Sequence, residues 1–147
     1  MDKLRISTCR DELDVDLVHR FLSQEAYWSR GIPRATVEQA IAGSLCFGGY
    51  IGGAGQVAFA RVITDGATFG YLADVFVLPA FRGRGHAREL VQAITAHPQL
   101  QGLRRLMLAT SDAHGLYAKS GFAAPAHPQT LMEILRPDIY TAAPAAA

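Results

Sequence analysis

Apolar residues along this chain change their spacing several times, and each change marks the edge of an element. Residues 4–8 alternate and predict an opening strand. Asp11 or Asp14 then caps a helix carrying Leu13, Val15, Leu17, Val18, Phe21 and Leu22, which ends near Glu25. Residues 26–34 hold two adjacent aromatics, Tyr27 and Trp28, followed by glycine and proline, and read as a turn. Thr36 and Gln39 stand in capping-box spacing and predict a short helix through Ile41, ended by Gly43 and Ser44. Residues 45–51 read as a strand, 52–55 as a glycine hairpin turn and 56–64 as the returning strand. Asp65 and Gly66 make the next turn, and 68–78 form the third strand of a meander.

A helical pattern covers 87–96 and stops at His97-Pro98, since proline restricts the residue before it. Residues 103–109 give a leucine-rich strand, placed beside the central one by a right-handed crossover. Ser111 or Asp112 caps a helix over 113–120, with Gly121 closing it. Residues 131–135 are expected to form a terminal strand, the edge through which two copies pair, and 141–147 a flexible tail. This order describes an α/β domain over 1–140 with a mixed, mostly antiparallel sheet and flanking helices.

The composition narrows the partners. Half of the 147 residues are apolar and only 18% are charged, so general disorder is excluded. The net charge of +1 calls for neither nucleic acid nor a membrane surface. No apolar run reaches the ~18 residues of a spanning helix, and the N-terminus lacks the apolar segment of a secretory signal. Cys9 and Cys46 are too few for a disulfide framework and read as buried thiols in a reducing cytoplasm.

The chemistry concentrates in residues 71–87, YLADVFVLPAFRGRGHA: an apolar strand, a short glycine turn, then a helix. A helix start leaves N–H groups without partners, and glycines let an anion approach them. Arg82, Arg84 and Arg88 add positive charge. The full GxGxxG pattern is missing, because Arg88 stands where its third glycine would. The lysine and hydroxyl of GxxxxGK[ST] are absent, as are HExxH, spaced Cys/His clusters and GxSxG. No metal is expected.

Residues 82–87, RGRGHA, match the [R/Q]xxGx[G/A] signature of the GCN5-related N-acetyltransferase superfamily, and residues 116–122, LYAKSGF, resemble its second signature, LYxKxGF. The stretch DAHGLYAKSGF over 112–122 is similar to one bacterial branch of that family. The resemblance implies the acyl-CoA N-acyltransferase fold with splayed central strands, acetyl-CoA as co-substrate and a primary amine, most simply of a small metabolite, as acceptor; a protein N-terminus or lysine as acceptor, or a module that binds acyl-CoA without turnover, stand as the alternatives. It implies that the backbone of Arg82, Gly83, Arg84, Gly85, His86 and Ala87 receives the pyrophosphate. Val75, Phe76 and Val77 would pair with the pantetheine arm, and Tyr117 would protonate the departing thiolate. Many members carry asparagine where Thr110 stands. A hydroxyl replaces only part of an amide's bonding there. His86 stands where a small or aliphatic residue is frequent and is expected to alter only the entrance.

Acetyl transfer from a thioester requires a neutral amine, a donor for the tetrahedral oxyanion and a proton for the thiolate. The Val77 N–H is the candidate oxyanion donor. Asp74, a carboxylate inside an apolar strand, either takes the amine's proton, binds an ammonium group, or forms a structural pair with Arg61. His114 shares a helix face with Tyr117 and is a candidate relay or a histidine satisfied by its neighbours. Tyr27 and Trp28 would wall the acceptor site or anchor their own loop, with Arg61 and Asp65 facing the same cleft. No cysteine lies in either signature, so direct attack in a ternary complex is expected.

Overall fold

Five strands form one sheet in the order β1-β2-β3-β4-β5. They are β1 (Arg5–Ser7), β2 (Leu45–Ile51), β3 (Gly55–Thr64), β4 (Phe69–Val77) and β5 (Arg105–Met107). The first three pairings are antiparallel and the last, β4 with β5, is parallel. The computed structural model describes residues 3–141, so the expected tail lies, but for Thr141, outside the described residues. The mixed, mostly antiparallel sheet predicted from the chain order is the one found.

Helices cover both faces, which is why β2 and β3 are buried almost throughout rather than alternating. On one face lie α1 (Val15–Arg20), its π-helical continuation Phe21–Glu25, and α2 (Arg34–Ala42). Their Val18, Phe21, Leu22, Val37 and Ile41 pack on Cys46, Phe59 and Phe76 from the sheet. The Phe21 and Phe76 rings stack at 3.9 Å between centroids. On the other face lie α3 (His86–Ala96) and the short α4 (His114–Ala118). Leu90, Val91 and Ile94 of α3 fall at helical spacing and are fully buried against Phe47, Val57, Val62 and Leu72.

Asp14 caps α1 as expected, its Oδ1 accepting the Leu17 N–H at 3.0 Å. Asp65 holds the turn before β4: its carboxylate accepts the N–H groups of Ala67, Thr68 and Phe69 and the Thr68 hydroxyl. Those bonds hold its carboxyl well below the usual carboxylate range. Asp65 is thereby committed to the turn rather than to the acceptor cleft expected for it beside Arg61.

Three local expectations fail. The Thr36–Gln39 capping box does not form, because the Pro33 carbonyl already accepts the Thr36 and Val37 N–H groups and α2 begins at Arg34. Neither Ser111 nor Asp112 caps α4. The Thr110 hydroxyl accepts the Ala113 N–H at 3.1 Å, and Ala113 takes the N-cap position. Residues 131–135 form no strand: the stretch is exposed and pairs with no other described residue of its chain. Among the described residues no helix is long and apolar enough to cross a membrane.

Leu90 is fully buried between α3 and the sheet. Leu90→Ala should lower the unfolding free energy by about 2–5 kcal/mol, through lost burial and the cavity left behind. Urea denaturation followed by far-UV circular dichroism checks this.

Candidate active site

β5 pairs with β4 only along Phe69, Gly70 and Tyr71. Beyond Tyr71 the two strands part, leaving the β5-facing backbone of the rest of β4 without a strand neighbour. A bulge shapes the same stretch: between Phe59 and Arg61 on β3, the partner strand advances three residues, from Phe76 to Ala73. The extra residue lies at Asp74-Val75. Asp74 has φ 55, a left-handed conformation no other described non-glycine residue adopts. Such a conformation costs roughly 1–3 kcal/mol and persists where surrounding contacts over-determine it.

Those contacts are on view. Asp74 Oδ2 accepts from Arg61 Nε at 2.6 Å, and Oδ1 accepts from Trp28 Nε1 at 2.8 Å. The ion pair is largely shielded, with side chains 17% and 10% exposed, and Arg61 also donates to the Ser44 hydroxyl at 3.1 Å. Of the readings open for Asp74, the structure shows the pair with Arg61. Each carboxylate oxygen keeps a further lone pair for an incoming N–H.

Backbone direction follows from the ladder. At the Ala58–Val77 pair it is the next residue, Leu78, whose N–H donates to Val57 C=O at 2.8 Å. Ala58 and Val77 are therefore a pair that exchanges no bonds, and the Val77 N–H points toward the parted side. Phe76, one residue earlier, faces β3 with its backbone and the helical layer with its ring. Of residues 75–77, the alternation leaves Val77 best turned to the cleft.

Past Val77 a 3-10 turn, Pro79–Phe81, leads into the glycine turn. Arg82 Nε donates to the Val77 carbonyl at 2.9 Å, tying the turn to the strand end. Gly83 and Gly85 have φ 78 and 83, and Gly85 is the N-cap of α3 with no side-chain cap. A Cβ added at either glycine would meet no atom within 4 Å. The N–H groups of Gly83, Gly85, His86 and Ala87 find no acceptor among the described residues. They open on a cleft of about 350 Å³, whose walls include Val77, Phe81, Arg82, Arg88, Leu116 and Lys119. The cradle suits an anion.

His86 departs from expectation. Its side chain is 3% exposed, with Nδ1 3.3 Å from Glu89 Oε1 and Nε2 buried without a partner. It turns into the protein rather than shaping the entrance. Arg84 lies over the Phe81 ring at 5.5 Å.

Tyr117, on α4, is buried, and its phenol is pushed above its usual range chiefly by that burial, with further contributions from Asp112 and Tyr27. It is a neutral O–H donor at physiological pH. Tyr27 shares a hydrogen bond with Ser111 at 2.6 Å, across 84 positions of sequence. The Tyr27-Trp28 pair, edge to face at 5.1 Å, thus ties to both banks of the parting: Trp28 to the β4 bulge, Tyr27 to the loop after β5. His114 is exposed at the start of α4 and makes no hydrogen bond to a described residue, so a relay from it would run through water. Thr110 uses an acceptor lone pair on Ala113 and keeps its own proton to donate.

Sequence reasoning assigned no role to Lys119 and Leu116, although both lie within LYxKxGF. It read Ser111 only as a helix cap. Nothing local could reveal that hydroxyl's bond to Tyr27. Among the described residues no group of three or more His, Cys, Asp or Glu is placed to hold a metal ion.

Comparison with known proteins places this geometry in context. A model of the acetyltransferase (GNAT) family matches residues 15–122. A curated Gibberella zeae protein, provisionally named an acetyltransferase, is 37% identical over 136 residues, covering 78% of this chain and 76% of that one. A crystal structure of a provisional GNAT acetyltransferase from Xanthomonas campestris pv. campestris is 57% identical, with TM-score 0.92 over 97% of this chain and 99% of that one. A Clostridium acetobutylicum protein solved with acetyl-CoA shares the fold at 16% identity, with TM-score 0.66 over 92% of this chain and 96% of that one.

Gly85→Glu should abolish acetyl-CoA binding while the domain stays folded. The added side chain meets no protein atom, and the left-handed backbone costs it only about 1–2 kcal/mol. Titration calorimetry beside a circular dichroism spectrum checks both halves; unchanged affinity in a folded variant would remove the turn from the binding site.

Proposed function

Because the chain belongs to the acetyltransferase (GNAT) family, we propose that it transfers the acetyl group of acetyl-CoA to the primary amine of a small metabolite, by direct attack in a ternary complex. The observation that carries the small acceptor is the double tie of Tyr27 and Trp28 to both banks of the parted strands. A loop fastened on both sides leaves room for a compact amine rather than a long open groove for a polypeptide.

The residues divide the work. The N–H groups of Gly83, Gly85, His86 and Ala87, which find no acceptor among the described residues, hold the pyrophosphate, with Arg82 and Arg88 beside them. The parted side of β4 at Val75 and Val77 takes the pantetheine arm, as a missing strand would. Acetyl-CoA bound to the Clostridium acetobutylicum relative supports that choice of co-substrate. The Val77 N–H donates to the oxygen of the acetyl carbonyl as negative charge gathers there. Asp74, steadied by Arg61, accepts a hydrogen bond from the amine and aims its lone pair at the carbonyl carbon. As the C–S bond breaks, the Tyr117 O–H gives its proton to the sulfur; the attacking nitrogen loses one proton to solvent, with His114 at the exposed end of that path, and the Tyr117 phenolate takes a proton back from solvent.

Cys46 takes no part. Burial pushes its thiol up to about 11, far from a thiolate at neutral pH. Cys9, expected to be buried like Cys46, is exposed; both cysteines are free, which supports a cytoplasmic setting.

An amine panel screened for CoA release identifies the acceptor and tests the reading. On the best amine, Tyr117→Phe should bind acetyl-CoA normally and lose about 10²-fold in kcat; full activity would remove Tyr117 from the mechanism. Because its phenol lies above the usual range, wild-type kcat should show no loss of this acid as pH rises through 9 to its ordinary value near 10. Asp74→Asn should act mainly through a raised KM for the amine, with little pH dependence. A loss confined to kcat and restored at high pH would instead make Asp74 the base.

A further inference from the structure

The layer made by α1 and α2 stops short on its side of the sheet. It packs on Cys46, Phe59 and Phe76, and its loop is tied to β4 by the Trp28 bond to Asp74. Past the Arg61–Asp74 pair, the same face carries Ile63, Phe69, Tyr71 and Met107, which belong to neither core cluster. The register brings them together. Ile63 lies opposite Tyr71, Tyr71 lies opposite Met107, and Phe69 stands two residues before Tyr71. The alternate residues Val62 and Leu72 point the other way, into the core under α3. Ile63 is 43% exposed and Phe69 41%, while Tyr71 and Met107 are half-buried. Apolar side chains left open together on one face mark a surface that receives an apolar ligand.

This apolar floor begins where the proposed chemistry takes place. Tyr71 is the last β4 residue paired with β5 before the strands part, and Asp74 follows three residues later, at ~3.3 Å each. Tyr27 and Trp28 are exposed rings held over the parting by Ser111 and Asp74. The cleft therefore has a carboxylate at its head, aromatic rings above and apolar side chains along its floor. Its charge suits one kind of amine. The free lone pairs of Asp74 accept N–H groups, and aromatic faces favour a cationic head. Arg61 is taken up by Asp74 and the Ser44 hydroxyl, so an acid group beside the amine would meet the Asp74 carboxylate without a spare guanidinium from that pair. A polar body laid on the floor would lose water and gain few bonds in return.

We propose that the acceptor is a primary amine with a flat, apolar body and no acid group, seated on Ile63, Tyr71 and Met107 with its nitrogen at Asp74. This rests on the acetyl transfer proposed above and names the class of amine it uses. The floor residues act by burying the amine's body, so they set its KM rather than the rate of the chemical step. The far end carries the opposite sign to the head. Arg105 shares the face of Phe69, and its Nη1 lies 4.0 Å from Met107 Sδ, so a diamine reaching that far would meet a like charge.

The test compares three amines on the full chain with acetyl-CoA: phenethylamine, ethanolamine, which lacks the apolar body, and phenylalanine, which adds an acid group. CoA release should give phenethylamine a kcat/KM about 10²-fold above either of the others. Ile63→Asp should raise the KM for phenethylamine about tenfold, with acetyl-CoA affinity and the circular dichroism spectrum unchanged, and Ile63→Leu should keep the wild-type value. Ethanolamine or phenylalanine used as well as phenethylamine would overturn the proposal, as would an unchanged KM in a folded Ile63→Asp protein. The amine comparison needs only the wild type, so it decides the matter even where that variant misfolds. If no amine releases CoA, calorimetry of phenethylamine into CoA-loaded protein separates the two claims. Binding that Ile63→Asp abolishes would support the apolar floor and overturn only the catalytic reading; no binding to the wild type would overturn the floor itself.

Discussion

Two parallel strands that stop pairing after three residues set the conditions for everything else in this protein. β4 is held on its other side by β3, so its position is secure, yet past Tyr71 its β5 side carries backbone donors and acceptors with no strand to receive them. Buried peptide groups without partners are costly, and a cleft that leaves them open must be filled by a ligand or by water. An extended amide-bearing molecule laid between the strands would complete the sheet. The glycine turn continues the same surface into an anion cradle, so one groove offers strand-like bonding first and charge recognition afterwards.

The bulge at Asp74 is the counterpart on the neighbouring side. A carboxylate in a left-handed residue of a mostly buried strand is unfavourable on two counts, conformational and electrostatic. Arg61 and Trp28 compensate the second by occupying one site on each oxygen. The pair is therefore a positioned acceptor rather than an isolated charge. Because Trp28 belongs to the loop between α1 and α2, the bond also couples the helical layer to the sheet. Tyr27 extends this coupling to Ser111 across the parting. Three segments distant in sequence thus share one small network, and the aromatic loop is held over the cleft from both banks.

Tyr117 shows how packing sets chemistry. A phenol in water is already protonated at neutral pH; burial beside Asp112 and Tyr27 makes its ionisation harder still. That favours a donor whose proton is present before the reaction and is released only to a strongly basic partner. Thr110 reaches the same region by a different route. Its hydroxyl closes the first turn of α4, so a residue that differs from the usual asparagine still organises the helix on which Tyr117 stands.

Much of this was legible in the chain itself. Alternating and helical spacing located the meander, α1, α3 and the parallel strand, because those elements bury one face or both and their apolar period records it. RGRGHA and LYAKSGF marked the cradle and the tyrosine, because backbone approach to an anion requires glycine locally and the motif carries its own geometry. What failed was decided elsewhere. Thr36 lost its capping role to Pro33, His86 turned inward to a buried site, and Ser111 became a partner for Tyr27, none of which local spacing encodes. The apolar pattern of residues 131–135 announced a strand, but a strand exists only where an edge receives it, and within the described residues of one chain no edge does. Sequence by itself determined which segments seek burial or hydrogen bonds; tertiary structure decided which partners lay within reach, since contacts between distant segments depend on where the whole fold brings them.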